Sequence, residues 1–362
     1  MLLLYINISD IWKWNRDPVH HRGNRDRAIR NILWRGDQRL LIAKIDCIPC
    51  ILDDVRGALD LLTPDDNIKR QVMKESLEFL ARNTDLEKEP SVYITQVHRI
   101  LKRVCGIKAP FAQRRQMCNE LGMELCKTLK ERIDGLDGFD RFSLLARWSI
   151  AANVLDFRTV GTGYDFDMDE LERLLCNLAN RLDVDQLPQI YEKVRAARRI
   201  LFVHDNVGEI AIDKLLIEDI QTQDTRRKTQ DARQEENIPG LESGVLSLES
   251  SSKVISAVRG GPITSDATMT DAQQVNLHEA SASVILAGPD TLGISFEEMS
   301  KEFEKELSQA DLVIAKGQAN YYVFSEHKDE VGCPIVCLFR TKCRVVSSIF
   351  YAAENINIAA IL

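Results

Sequence analysis

The sequence predicts an α/β protein in which helices cover a mostly parallel β-sheet and an all-helical segment precedes it. Apolar residues recur at spacings of three and four from about residue 46 to 155, which is typical of amphipathic helices. After residue 156, short apolar runs alternate with helical patterns, and this alternation indicates a parallel sheet. The length of 362 residues fits two domains better than one.

Residues 1–44 are predicted to be a basic N-terminal extension that is disordered and lies outside the folded unit. They are rich in Arg, Asn, His and Trp and carry little periodicity. An alternative is that they form a basic arm for nucleic acid.

Residues 45–155 are predicted to form an all-α domain. The helical patterns are DVRGALDLL, IKRQVMKESLEFLARN and SVYITQVHRILKRVCG, followed by Glu120 to Ile133 and Arg141 to Leu155. Thr63 is expected to cap the second helix, with Pro64 just inside the cap and acidic residues in the first turn.

Residues 156–362 are predicted to form an α/β domain. Its strand-like runs are RILFVHDN, SKVISAVRGGPI, ASVILAGP, ADLVIAKGQAN and PIVCLFR. The polar segment 221–251 interrupts the alternation. Because its first part is charged and poor in apolar residues, it is interpreted as either a mobile insertion or a solvated helical extension.

Composition limits the classes of partner. Hydrophobic residues make up 44% and charged residues 28% of the chain, which is ordinary for a globular protein. A net charge of −8 and a pI near 5.5 disfavour a general binder of nucleic acid or of anionic membranes. No apolar run approaches the roughly 20 residues that a membrane span needs. Nine cysteines without a regular framework fit reduced thiols, so we expect a cytoplasmic protein.

A carboxylate and an amide follow the first strand of the α/β region. Asp205 and Asn206 come after the apolar run from Ile200 to His204, and a helical pattern begins after Gly208. Ligands of open α/β sheets usually bind at this edge of the sheet. Oxygen ligands suit Mg²⁺, Mn²⁺ or a similar divalent ion. We therefore interpret Asp205 and Asn206 as the metal end of a phosphate-handling site.

The next three strands also end in polar or glycine-rich residues. These residues are Arg259 with Asp266 in SDAT (265–268), Gly288 in AGPD (287–290), and Lys316 with Asn320 in KGQAN (316–320). In a parallel sheet these ends converge on one edge. Two carboxylates and an amide would hold a divalent ion, a lysine would offset phosphate charge, and glycines would let backbone N–H groups approach oxyanions.

Each of these residues also has a structural interpretation when it is taken alone. Asp-Asn after a strand is often a turn or a helix cap. Glu209 could orient a ligand or act as a base, or it could only favour the helix dipole. His204 is expected to pack in the core, and Asp213 and Lys214 are expected on the helix surface. The accumulation of such groups at one edge is what favours a functional site.

Cys47 and Cys50 form a single CxxC motif whose role the sequence leaves open. A structural zinc site normally needs a second ligand pair. A redox role would fit better in a thioredoxin-like unit. We favour structural thiols, and a further ligand could come in space from Cys105, Cys118, Cys126 or His98. The remaining cysteines near strands, Cys333, Cys337 and Cys343, are expected in the core.

Six short motifs occur in order along the chain. They are CIPC (47–50), ANVLDF (152–157), DNVGE (205–209), SDAT (265–268), AKGQANY (315–321) and TKC (341–343). From about residue 45 to the C-terminus, this set resembles the damage-control, metal-dependent phosphatase family, long labelled domain of unknown function 89. The N-terminal CxxC is similar to that of one branch of the family.

The resemblance implies a fold, an activity and a site. The fold is a three-layer α/β/α Rossmann-like domain beside an all-α N-terminal domain. The activity is that of a phosphatase that uses a divalent metal (Mn²⁺, Co²⁺, Ni²⁺ or Mg²⁺) and acts on small phosphorylated metabolites in damage control. Sugar phosphates and phosphopantetheine-like compounds are examples.

The implied metal ligands are Asp205, Asn206 and Asp266, and the implied phosphate contact is Lys316. Asp205, Asp266 and Lys316 are therefore the candidate catalytic residues, and either aspartate could attack phosphorus directly in place of water. The candidates for substrate binding, from resemblance and strand ends together, are Asn153, Glu209, Arg259, Gly288, Lys316 and Asn320.

The chain departs from the family pattern in three places. The segment 221–251 is an insertion where the family is compact, Ala109-Pro110-Phe111 replaces Asp-Pro-Tyr, and residues 1–43 have no counterpart. The predicted function is a phosphomonoester hydrolase. Two alternatives remain, namely a transferase with a nucleotide or methyl-donor cofactor in the same pocket, and a metal-stabilised binding module that engages RNA through the N-terminus. The sequence does not indicate an oligomeric state.

Overall fold

The computed structural model describes residues 42–63, 65–83, 86–157, 168–235, 253–352 and 354–362. The predicted basic extension therefore lies outside the described residues, apart from its last three positions. Residues 236–252, which include about half of the predicted insertion, also lie outside them.

Before residue 155, every described element is helical, as predicted. The helices are Cys47–Leu62 (α1), Asp66–Arg82 (α2), Pro90–Cys105 (α3), Ala112–Arg132 (α4) and Gly138–Ala151 (α5), and a 3₁₀ turn follows at Ala152–Leu155. The first three pack on one another through buried residues such as Val55, Val72 and Val97. Fully burying one such aliphatic side chain stabilises a fold by about 1.5–3 kcal/mol, so this three-helix core is a substantial stabilising unit.

The predicted cap of α2 is wrong by two positions. Asp65, not Thr63, is the N-cap, and its carboxylate accepts hydrogen bonds from the N–H groups of Asn67 and Ile68 at 2.8 and 3.3 Å. Thr63 instead ends the preceding helix. A carboxylate at this position also interacts favourably with the helix dipole, which explains why the aspartate takes this place.

After residue 168, helices and strands alternate along the chain. They are Met168–Ala179 (α6), Val184–Asp185 (β1), Leu187–Ala196 (α7), Arg199–Val203 (β2), Glu209–Glu235 (α8), Lys253–Val258 (β3), Met269–Gln274 (α9), Ser283–Leu286 (β4), Lys301–Gln309 (α10), Leu312–Lys316 (β5), Gln318–Glu326 (α11), Ile335–Arg340 (β6), Arg344–Ile349 (α12) and Asn357–Ile361 (β7). All five predicted strands are present. The sequence patterns did not reveal β1, which has two residues, or β7.

The described strands form one seven-stranded sheet in the order β1-β7-β6-β5-β2-β3-β4. Neighbouring strands are parallel except β6 and β7. From the central β2 the chain adds β3 and β4 on one side, and then returns past β2 to add β5 and β6 on the other. The strand order therefore reverses between β2 and β5. In open sheets, the crevice at such a reversal is where ligands bind.

Helices cover both faces of the sheet, so the predicted three-layer α/β/α arrangement is confirmed. Ile200 and Phe202 of β2 share one buried core with residues of α4, α5 and α8, whereas Leu201 and Val203 share the opposite core with residues of α10 and α11. This alternation follows from the two-residue period of a strand. Because α4 and α5 pack on the sheet, they connect the helical segment to it, and a domain boundary near residue 155 stays a prediction.

Helix α8 continues to Glu235, so residues 221–235 of the polar segment are helical. The predicted helical structure is therefore present in that part, and its exposure to solvent stays a prediction. Among the described residues, no helix, α8 included, combines the length and the hydropathy required to cross a membrane.

Candidate active site

Asp205 and Asn206 lie between the end of β2 and the start of α8, at the edge of the sheet where the strand order reverses between β2 and β5. Gly208 makes the turn with φ of +74°, and a side chain there would meet the Cys118 carbonyl oxygen at 2.8 Å. The Gly208 N–H donates to Asn119 Oδ1 at 2.8 Å, which ties the turn to α4. Both predicted ligands are buried, with exposures of 5% and 3%.

A short backbone pairing brings Asp266 to this turn. Val207 N–H donates to the Ser265 carbonyl at 2.8 Å, and Ala267 N–H donates to the Asp205 carbonyl at 2.7 Å. The Ser265 hydroxyl also donates to Asn206 Oδ1 at 2.8 Å. The three residues predicted to bind metal therefore meet at one edge of the sheet, although they come from two different strand ends.

Buried polar groups hold the Asp266 carboxylate in place. Oδ1 accepts from Gly293 N–H and Oδ2 accepts from the Thr264 hydroxyl, both at 2.8 Å. Arg259 Nε lies 3.5 Å from Oδ1, and Arg259 Nη2 donates to Asn320 Oδ1 at 2.8 Å. The predicted substrate-binding residues Arg259 and Asn320 are 1% and 0% exposed. In this structure they therefore support Asp266.

Glu209 and Asn153 join the same group. Glu209 Oε2 accepts from Asn206 Nδ2 at 3.4 Å and from Asn153 Nδ2 at 3.5 Å. Asn206 Nδ2 also donates to Asp205 Oδ2 at 2.7 Å. The structure thus links Asn153 through Glu209 to the Asp205–Asn206 pair.

Lys316 is fully buried at the end of β5. Its ammonium group donates to the Ser149 carbonyl at 3.0 Å, to Asp213 Oδ1 at 2.9 Å, and to Glu209 Oε1. The prediction that Asp213 lies on the helix surface is therefore wrong. Asp213 stands one helical turn after Glu209, so both carboxylates share the face of α8 that packs on the sheet.

His204 is a packed core residue, as predicted. Its ring lies 4.7 Å from the Phe202 ring, and its nitrogens contact Asp213 Oδ2 at 3.1 Å and Ser256 Oγ at 3.0 Å.

No described contact connects Gly288 with Asp205, Asn206 or Asp266. A side chain at Gly288 would meet the Glu298 carbonyl oxygen at 2.6 Å, and one at Gly260 would overlap the Gly288 carbonyl. These glycines allow neighbouring loop backbones to approach one another. Substrate binding by Gly288 stays a prediction.

Sequence reasoning missed Lys342 and Asp156 as site residues. Lys342 Nζ donates to Asp156 Oδ2 at 2.6 Å, and the Lys342 side chain remains 34% exposed. A signal was available, because Lys342 follows β6, whose carboxyl end lies on the same edge as that of β5. Both residues also belong to motifs of the ordered set.

The electrostatic environment favours a bound cation. Burial raises the pKa of Asp205 well above its usual range, and Glu209, Asp266 and Asp156 raise it further while Lys342 opposes them. Burial also raises the pKa of Glu209, although Lys316 counteracts it. The pKa of Lys342 rises because Asp156 and Asp205 outweigh its own desolvation. A cation close to Asp205 would relieve the repulsion among these carboxylates.

The donor set of Asp205, Asn206 and Asp266 fits a hard divalent cation, since it consists of two carboxylates and one amide. The described residues contain no group of three or more His, Cys, Asp or Glu side chains with metal-binding geometry. The proposed set therefore depends on the amide of Asn206 as its third ligand.

The surroundings of the CxxC thiols include Cys343, which was not among the partners considered from sequence. Burial raises the pKa of Cys47 and raises that of Cys50 to about 11, and the Cys343 thiol contributes to both shifts. His98, considered as a ligand, contacts Asp54 Oδ2 at 2.5 Å. Cys337 is buried in β6, as predicted for a core residue.

Comparisons with known proteins agree with this architecture. An uncharacterised protein of Methanocaldococcus jannaschii is 29% identical over 318 residues, which cover 87% of this chain and 92% of that protein. A damage-control phosphatase of Pyrococcus horikoshii is 27% identical over 302 residues (83% and 92%), and one of Archaeoglobus fulgidus is 28% identical over 302 residues (83% and 92%). The crystal structure of a DUF89 family protein from Pyrococcus horikoshii matches with a TM-score of 0.71 and 25% identity, covering 88% of this chain and 98% of that one.

These relatives support a phosphatase activity for the chain. A model of the damage-control phosphatase ARMT1-like domain matches residues 43–229 and 244–356, which is most of the sequence. The chain therefore belongs to the damage-control phosphatase ARMT1-like family.

Proposed function

We propose that the chain is a divalent-metal-dependent phosphatase that hydrolyses phosphomonoesters of small metabolites, such as sugar phosphates or phosphopantetheine-like compounds. The observation that carries this proposal is the meeting of Asp205, Asn206 and Asp266 at the edge of the sheet where the strand order reverses between β2 and β5. Family membership supports the hydrolase class. The nine cysteines are free thiols, which supports a cytoplasmic location.

Asp205, Asn206 and Asp266 would hold Mn²⁺, Co²⁺, Ni²⁺ or Mg²⁺. When bound, such an ion supplies Lewis-acid stabilisation of negative charge on phosphoryl oxygens. The protein residues fix the ligands before substrate arrives, because Gly293 and Thr264 orient Asp266 and Ser265 orients Asn206. Preorganised ligands need no reorganisation when charge develops in the transition state.

Among the cationic side chains at this edge of the sheet, that of Lys342 is best placed to bind the phosphate group of a substrate. Its side chain is partly exposed, whereas Lys316 and Arg259 are buried beneath the cluster. An ammonium group carries three N–H donors, so Lys342 can bind phosphate oxygens while it keeps its hydrogen bond to Asp156. Phosphoryl transfer depends mainly on such positioning and charge neutralisation.

Phosphate release from a panel of sugar phosphates, measured with each of the four metals and with EDTA, tests the proposal. We expect turnover that requires metal and that falls by at least about 10³-fold in Asp205→Ala, since a ligand contributing several kcal/mol of charge stabilisation is lost.

Activity that survives both EDTA and Asp205→Ala would exclude this mechanism. Binding of a nucleotide or methyl-donor cofactor without phosphate release would favour the transferase alternative. RNA affinity that disappears when residues 1–43 are deleted, with no hydrolysis by the remaining chain, would favour the binding module. Trapping of acid-stable or hydroxylamine-sensitive phosphate on the protein would separate aspartyl attack from direct attack by water.

A further inference from the structure

Lys316 uses all of its hydrogen-bonding capacity inside the protein. It is fully buried, and its ammonium group donates to the Ser149 carbonyl, Asp213 and Glu209. An ammonium group has three N–H donors. A phosphate oxygen could reach this lysine only by displacing one of these three acceptors, two of which are charged.

We propose that Lys316 is a positioning residue, which together with Asp213 holds the Glu209 carboxylate in place and does not bind the phosphate itself. This inference rests on the proposed phosphatase function and deepens it, because the family resemblance alone implies that the lysine contacts phosphate. The role follows from the geometry of the buried acceptors.

The effect of Lys316 reaches the proposed metal ligands through Glu209. Lys316 binds Glu209 Oε1, while Asn206 Nδ2 donates to Glu209 Oε2 at 3.4 Å and to Asp205 Oδ2 at 2.7 Å. Because both carboxylates accept from the amide nitrogen and the Ser265 hydroxyl donates to the amide oxygen, the orientation of the Asn206 amide group is fixed. That oxygen is the atom that would bind the metal. A correctly placed Glu209 therefore sets which atom of Asn206 the metal meets.

Asp213 is itself held by a chain of hydrogen bonds. Its Oδ1 accepts from Lys316 at 2.9 Å and from the Ser149 hydroxyl at 2.6 Å. Its Oδ2 lies 3.1 Å from His204 Nδ1. Lys316 is the strongest of the groups that oppose desolvation and lower the Asp213 pKa, so this carboxylate is ionised and only accepts. His204 must therefore carry its proton on Nδ1.

The chain of hydrogen bonds continues beyond the histidine ring. The Ser256 hydroxyl lies 3.0 Å from His204 Nε2, and the Ser281 hydroxyl lies 2.7 Å from the Ser256 hydroxyl. Such a fully satisfied buried network is rigid, and it fixes Asp213 against Lys316.

Lys342 offers a matched comparison within the same site. Its side chain is 34% exposed, and its described hydrogen bond is to Asp156. A methionine at either lysine position keeps most of the side-chain length and removes the charge. Any difference between Lys316→Met and Lys342→Met therefore reports the position of the charge.

Calorimetric binding of inorganic phosphate to the Mn²⁺-loaded full chain separates the two roles. For Lys316→Met we expect a dissociation constant within about threefold of wild type, and for Lys342→Met one at least about tenfold weaker, since only the latter loses a charge-assisted hydrogen bond to the ligand. Equal weakening in both variants would overturn the proposal.

Turnover provides the second measurement. Asp213→Asn keeps the shape of the side chain, and we expect kcat to fall by about tenfold or more with KM within about threefold, as for an interaction that acts only in the transition state. The double variant Asp213→Asn/Lys316→Met should lose no more than about threefold beyond the worse single variant, because the pair acts as one unit. Additive losses, or a wild-type kcat in Asp213→Asn, would contradict the inference.

Thermal unfolding of each variant controls for loss of structure, and Asp213→Asn decides the question by its kcat if Lys316→Met does not fold.

The inference and the proposed function fail in different ways. A wild-type protein that binds phosphate in the expected pattern but hydrolyses no phosphomonoester contradicts only the function. A wild-type protein that binds no phosphate contradicts both.

Discussion

A glycine allows a side chain of the site to lie directly against the backbone. Gly317 has φ of 81° and ψ of 158°, a conformation that is essentially restricted to glycine. A side chain at this position would overlap the Asp205 carboxylate. The glycines of the strand ends were expected to admit ligand oxyanions to the backbone. At Gly317 the group that approaches the backbone is instead the carboxylate of Asp205, a proposed metal ligand.

We expect Gly317→Ala to damage both stability and activity. The substitution forces an unfavourable backbone conformation, which costs about 1–3 kcal/mol, and displaces Asp205. The free energy of unfolding, measured by denaturant titration, should fall by that amount, and metal-dependent turnover should be lost.

Gly57→Ala is the matched control for that substitution. Gly57 lies within α1 and has no atom within 4 Å of the added carbon, so alanine there should stabilise the helix by about 0.5–1 kcal/mol. A Gly317→Ala protein with wild-type metal affinity and activity would refute the proposed contact.

The residues that sequence reasoning misplaced are charged groups whose partners come from elsewhere in the chain. Asp213 follows Glu209 at the spacing of one helical turn, which is compatible with an exposed face or with a buried one. Burial of that carboxylate is tolerable because Lys316, Ser149 and His204, all from outside α8, surround it. Periodicity within α8 cannot supply that information.

At the scale of elements, the loop that follows β4 connects the helical segment to the site. Three successive backbone N–H groups in it donate to three different parts of the protein: Leu292 to Thr95 Oγ1 at 3.0 Å, Gly293 to Asp266 Oδ1 at 2.8 Å, and Ile294 to Asn320 Oδ1 at 2.9 Å. Thr95 belongs to α3, so this helix is joined to the proposed metal ligand through two adjacent residues of one loop.

We expect Thr95→Val to loosen this loop. Valine has the shape of threonine but leaves the partly buried Leu292 N–H without its acceptor, which costs about 1–3 kcal/mol in the free energy of unfolding. Metal affinity, measured by calorimetry, should weaken several-fold because Asp266 loses part of its support. Thr95→Ser keeps the hydroxyl and should behave nearly as wild type. Equal effects of the two substitutions would show that the methyl group, not the hydrogen bond, matters.

Elements with strong local patterns were predicted well, and those without them were not. The five predicted strands have apolar runs of adequate length, and each occurs in the structure. The two-residue β1 carries too little pattern to detect, and it forms because β7 pairs with it. The N-cap of α2 was predicted at Thr63 and is Asp65 in the structure. Both types of residue can cap a helix, and only the geometry of the turn distinguishes them.

On the scale of the whole molecule, the site holds more buried negative charge than its own cations satisfy. Asp205 is the clearest case, because burial, Glu209, Asp266 and Asp156 all disfavour its ionised form. A buried group of this kind lowers the free energy of unfolding unless a bound ligand compensates its charge. The bound metal should therefore contribute to folding as well as to chemistry.

We expect Mn²⁺ to raise the thermal unfolding midpoint of the wild-type protein. At a free concentration 100 times the dissociation constant, the gain is about 2.7 kcal/mol. Asp205→Asn should gain almost nothing from Mn²⁺, and without metal it should unfold at or above the wild-type temperature, because the repulsion is removed. Scanning calorimetry with Mn²⁺ and with EDTA measures both effects. Equal stabilisation of both proteins by Mn²⁺ would place the ion elsewhere.

The sequence by itself determined the fold class and indicated which strand ends share one edge of the sheet. Both depend on local information, since hydrophobic periodicity identifies strands and helices and parallel strands must share one carboxyl edge. Asp205, Asn206 and Asp266 could be grouped on that basis, and the ordered motifs identified the family.

Only the tertiary structure decided which of these groups touch one another. It pairs residues 205–207 with 265–267, buries Arg259 and Asn320 beneath Asp266, and surrounds Lys316 with acceptors. The physical reason is that burial and electrostatic partnership depend on which distant segments pack together. A strand end predicts the edge on which a side chain lies, but the neighbouring elements determine whether it meets water, a ligand or another charge.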